Sequence, residues 1–112
     1  METRLFSKTP SGEPCLVLGN DGIAAKILEK TAHGKWQQNV VQDLFRNGYV
    51  VESRLTENKG YLVEYQSARY TRNLGKVMSR VRVALAEKGY YLESGKVGPK
   101  GGFGYYVTEL SV

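Results

Sequence analysis

The 112-residue chain has one cysteine, one histidine and one tryptophan. A lone Cys15 cannot form an intrachain disulfide framework, and no CxxC pair or Cys/His cluster offers zinc-ligand spacing. With only His33 available, no Ser/His/Asp spacing can be defended, although the sequence leaves a two-carboxylate site open. His33 lies beside Gly34 between two helical stretches, where a surface or capping role is expected; Cys15 sits in an apolar run and reads as a small core residue. No apolar run approaches the ~18 residues of a membrane span. The first residues, Met1 to Phe6, lack the basic stretch, apolar run and small-residue cleavage site of a secretory leader. The expectation is a cytoplasmic, non-enzymatic protein with no membrane partner, cofactor or metal.

What remains is a globular composition, 41% hydrophobic and 24% charged, sufficient for one small core. The formal net charge is +5, unevenly spread. Between Arg69 and Lys100, eight Lys and Arg residues face only Glu87 and Glu93. All eight tyrosines lie from Tyr49 onward. A local positive field of this kind attracts polyanions, nucleic acid foremost.

Thr, Ser, Gly and Pro dominate residues 1–14, which read as an N-terminal arm. Residues 15–112 read as one compact α+β domain. Cys15–Leu18 suggests a strand, and Asn20 or Asp21 a helix cap before Ile23–Lys30. A second helix is expected over Lys35–Asn47, with Trp36, Val40, Val41 and Leu44 along one flank and Gly48 as its stop. Tyr49–Glu52 and Tyr61–Tyr65 read as strands around a turn at Thr56–Gly60, and Gln66–Asn73 as a polar stretch. The best-defined helix spans about Gly75 to Lys88, with Val77, Val81, Ala84 and Leu85 on one arc. A hairpin follows, from Tyr90–Glu93 to Phe103–Thr108 through the Gly-rich tip Gly98–Gly102. That tip opens no helix and has no Lys-Ser/Thr pair, so it is not a phosphate loop.

Two stretches match. Gly34-Lys35, Gly48-Tyr49 and Glu52-Ser53 recur 41 residues later as Gly75-Lys76, Gly89-Tyr90 and Glu93-Ser94. The returning strands align three residues further on, Tyr61 with Tyr105 and Val63 with Val107. The candidate tandem repeat is a helix, a glycine stop and a β-hairpin, giving units of about 15–66 and 67–110, each too small to bury much alone.

The helix and hairpin at Gly75–Tyr106 carry the functional expectation. Ser79, Val83 and Ala86 fall opposite the apolar arc; Lys76 and Arg82 flank them, and Arg80 lies toward the boundary. Small residues let a helix approach a groove closely, Arg and Ser reach base edges, and Lys reaches phosphates. With its Leu85-Ala86-Glu87-Lys88-Gly89-Tyr90 ending and basic, Gly-rich turn, the segment 75–108 resembles the recognition helix and wing of winged helix-turn-helix DNA-binding domains. The resemblance implies a winged-helix-like α+β fold and a small transcriptional or replication regulator that binds double-stranded DNA, often as a homodimer. The DNA-contacting set expected from the charge pattern and the resemblance is Arg69, Arg72, Lys76, Ser79, Arg80, Arg82, Lys96 and Lys100. A preceding helix should fall near residues 66–73, which are short and polar. Two other readings stay open: a protein-binding module or inhibitor, of a kind mobile elements carry, using Tyr and Arg against an acidic partner; and a single-stranded nucleic acid binder that stacks bases on tyrosines.

Overall fold

A computed structural model describes residues 5–19, 22–51, 68–98 and 102–109. The elements are β1 (Leu5–Lys8), β2 (Pro14–Val17), α1 (Gly22–Thr31), α2 (Lys35–Asn47), β3 (Tyr49–Val51), α3 (Ala68–Ala86), β4 (Tyr90–Lys96) and β5 (Phe103–Glu109). The expected caps Asn20 and Asp21, the turn at 56–60, the strand at 61–65 and most of the hairpin tip, Lys100 included, lie outside the described residues.

The N-terminal segment differs from the arm expected of it. Leu5–Lys8 pairs antiparallel with Pro14–Val17, Phe6 opposite Leu16 and Ser7 opposite Cys15. The turn-forming residues close this hairpin. Thr9, buried, donates its N–H to the Glu13 carbonyl (2.8 Å) and accepts the Glu13 N–H on Oγ1 (3.0 Å), while Gly12 at φ 97° donates to the Thr9 carbonyl (2.9 Å). Ser11 N–H reaches the Val97 carbonyl (3.1 Å), tying this turn to the end of β4. A Thr/Ser/Gly/Pro-rich stretch was therefore a turn with two strands, not a lead-in.

The second sheet has the order β3-β5-β4, antiparallel throughout. Tyr49 pairs with Tyr106 and Val50 with Tyr105, so β3, from the first proposed unit, is completed by β5 of the second. Gly104 makes this possible: a Cβ there would collide with the Val50 carbonyl oxygen and with Val97 Cγ2. Leu92 and Val107 face each other across β4 and β5 and, with Val50 and Tyr90, present the buried side of the sheet to the helices.

The three helices supply the other side of the core. Ala24 and Ile27 come from α1, Val40, Val41, Leu44 and Phe45 from α2, and Leu74, Val77, Met78, Val81, Ala84 and Leu85 from α3. The last six recur at helical spacing, Leu74, Val77, Val81 and Ala84 by steps of three or four with Met78 and Leu85 adjoining, which is why this stripe can pack continuously against α1 and β4. The buried stripe reaches back to Leu74, one turn before the expected Val77, and α3 runs unbroken from Ala68 through Gly75. A mid-helix glycine costs about 1 kcal/mol, less than the burial of one large apolar side chain returns. Residues 68–73 are thus the first turns of α3 rather than a separate short helix. Lys88 and Gly89 leave the helix through bonds to the Leu85 (2.9 Å) and Ala86 (3.1 Å) carbonyls, with Gly89 left-handed at φ 86°.

Candidate nucleic-acid interface

Because the inner stripe of α3 is fixed by packing, its outer face is fixed as well. Lys76, Ser79, Arg82, Val83 and Ala86 are all exposed. Lys76, Ser79, Arg82 and, one turn on, Ala86 (with Val83 four residues after Ser79) recur at three- and four-residue steps and so share a side of the helix. Arg69 and Arg72 belong to the first turns of the same helix. The first carboxylate toward the C-terminal end, Glu87, is matched by Lys30 of α1 at 3.2 Å. The face between Lys76 and Ala86 therefore carries cations and small or apolar side chains but no acid.

Individual side chains differ in how free they are. Ser79 Oγ donates to the Gly75 carbonyl (2.9 Å), one turn back. Arg82 Nε donates to the Leu92 carbonyl (3.2 Å), which holds the side chain over β4 and links helix to hairpin. Its remaining guanidinium N–H groups make no bond to a described residue. Arg80 has turned away from this face. Its Nε donates to the Thr31 carbonyl (3.0 Å) and its Nη2 to Gln37 Oε1 (3.0 Å), at the junction of α1 and α2. Thr31 ends α1, so its carbonyl lacks an intrahelical donor, and the guanidinium supplies one. Gln37 Oε1 also accepts the His33 N–H (2.8 Å), one of the unpaired donors ahead of α2. The structure holds Arg80, which the charge pattern and the resemblance put with the DNA-contacting set, part-buried against the α1–α2 junction.

The β4–β5 hairpin adds Lys96, exposed and paired in register with Phe103. Phe103 is itself 47% exposed and meets Tyr105 edge-to-face at 5.7 Å between ring centroids. Val97 and Gly98 N–H groups both donate to the Gly102 carbonyl (2.9 Å each), closing the loop base.

The described tyrosines differ in exposure. Tyr90 is in the core, Tyr49, Tyr105 and Tyr106 are half-buried, and Tyr91 is exposed at 45%. Tyr106 lies opposite Glu93 in the β4–β5 register. Burial, and after it the charges of Glu13 and Glu93, push its phenol above the usual range. Carboxylates beside the ring make that side of the sheet a poor surface for a polyanion.

Among the described residues, no group of three His, Cys, Asp or Glu side chains could hold a metal ion, and no helix is long and apolar enough to cross a membrane. Cys15 is buried and burial pushes its thiol up, a weaker effect of the Ser7 backbone opposing it. Comparison with known proteins yields no match to any family model, curated protein or solved structure.

Proposed function

We propose that this protein binds duplex DNA, laying the outer face of α3 into the major groove and resting the β4–β5 hairpin on the flanking backbone, as a small regulator of transcription or replication. The observation that carries the reading is the acid-free outer face of α3, where Lys76, Ser79, Arg82 and Val83 stand exposed together. A helix with cations at its margins and small residues along its middle suits close groove approach. A helix followed at once by a hairpin, with Arg82 bonded across to Leu92, is also the order of a recognition helix and its wing. Lys76, Arg82 and Lys96, with the helix residues Arg69 and Arg72, supply the phosphate and base-edge contacts in this reading. Arg80 acts as a positioning residue that fixes α3 against the α1–α2 turn.

The test is a gel-shift series on random duplex and on single strand from low to moderate salt. Duplex affinity is expected to fall linearly on logarithmic axes, and Lys76→Ala to lower the slope by about one. Absence of any duplex shift at about 100 mM salt, or a preference for single strand, overturns the reading. Exposed Phe103 favours a second reading, in which the same cationic surface docks an acidic protein. That partner would bind in a salt-sensitive way while duplex DNA failed to compete.

A further inference from the structure

Val83 is 61% exposed, the most exposed large apolar side chain among the described residues of α3, and it stands among cations. Phosphate binding has no use for a branched apolar group, and leaving one in water forgoes the free energy of its burial. In the major groove the one apolar feature is the C5-methyl of thymine. One turn before it stands Ser79, whose hydroxyl proton is committed to the Gly75 carbonyl at 2.9 Å. Its outward lone pairs can then only accept. Adenine N6–H and cytosine N4–H are the donors the groove presents, while the guanine edge offers acceptors alone. The base pair that offers both a thymine methyl and an adenine amino donor is A·T.

We infer that Val83 biases this protein toward A·T pairs by contact with the thymine methyl, while Ser79 beside it accepts from adenine N6–H. The inference rests on the duplex reading above and deepens it. Cytosine offers Ser79 a donor as well, so the discriminating contact is that of Val83.

The experiment compares three duplexes of equal length: alternating dA-dT, the same duplex with deoxyuridine for thymidine, and alternating dG-dC. Uridine removes the methyls and leaves every phosphate and hydrogen-bonding edge in place. Wild-type protein is expected to bind the thymidine duplex roughly fourfold more tightly than the uridine duplex for each methyl contacted. Val83→Ala, at an exposed position that leaves the core intact, should bind the two alike with an unchanged salt slope. Ser79→Ala should weaken binding to the dA-dT and dG-dC duplexes alike, since adenine and cytosine both offer its hydroxyl a donor. Equal wild-type binding to the thymidine and uridine duplexes, or discrimination that survives Val83→Ala, overturns the inference and leaves duplex binding standing. Failure to bind any of the three duplexes overturns both.

Discussion

A Cβ on Gly48 would stand 2.8 Å from Cys15 Sγ and 3.0 Å from the Leu16 carbonyl oxygen. Gly48 ends α2 at φ 85°, donating its N–H to the Leu44 carbonyl (2.8 Å) and accepting the Val107 N–H on its own (2.9 Å). One residue thus stops a helix, extends the pairing of β5 and lets β2 come close. All three roles need a left-handed backbone with no side chain.

Gly48→Ala should therefore cost about 2–4 kcal/mol, the left-handed strain plus the steric overlap, read as a lowered midpoint in urea. Gly89→Ala is the control: φ is 86° but nothing lies within 4 Å of its Cβ, so the cost should be about 1 kcal/mol. Equal losses at the two glycines would show that the approach of Cys15 does not matter. Adding Cys15→Ala to Gly48→Ala should recover part of the loss, since the Leu16 carbonyl overlap and the backbone strain persist.

The Cys15 thiol should react with a soluble alkylating reagent at least about a hundredfold more slowly in the native protein than in denaturant, because reaction awaits an opening of the β1–β2 hairpin. Its raised pKa acts in the same direction by suppressing the thiolate. Rapid modification under native conditions, followed by mass spectrometry, would contradict the burial of Cys15.

Arg80→Ala leaves the Thr31 carbonyl without its donor and takes one of two donors from Gln37 Oε1. A loss of about 1–3 kcal/mol of stability is expected. The salt slope of duplex binding, measured well below the new melting temperature, should not move. A reduced slope with unchanged stability would place Arg80 on the DNA instead.

Asp43 on α2 has its carboxyl pushed above its ordinary value of 3.8, chiefly by burial, with Arg46 at 4.0 Å pulling weakly the other way. A folded-state pKa above the unfolded one means that the native state holds the proton more tightly. Stability therefore declines as pH rises from about 3.8 through the folded-state value, then stays level. Asp43→Asn should be at least as stable as wild type at pH 7, and this difference should vanish on titration to pH 3. A clear loss of stability at pH 7 would mean that the Arg46 attraction outweighs desolvation.

Much of the fold is written in periodicity. The stripe Val77, Val81, Ala84, Leu85 is regular enough to place both faces of α3 from sequence, so the exposure of Ser79, Val83 and Ala86 follows. Phe45, one of the largest fully buried side chains, is less legible, because two adjacent flanks of α2 are buried and periodicity marked only one. β1 was hidden by its composition: four residues beside a Thr/Ser/Gly/Pro turn carry too little alternation to show as a strand.

Local spacing, then, sets which residues of each helix turn inward, since that depends only on a period and on the cost of leaving apolar groups in water. Residue chemistry alone likewise sets the cationic bias of the second half. Partnerships between distant segments were decided by the tertiary structure: β3 with β5, Cys15 with Gly48, and Arg80 with the end of α1 rather than with the outer face of α3. An arginine at the margin of a helix can turn either way, and only an orphan carbonyl brought alongside it by packing determines which.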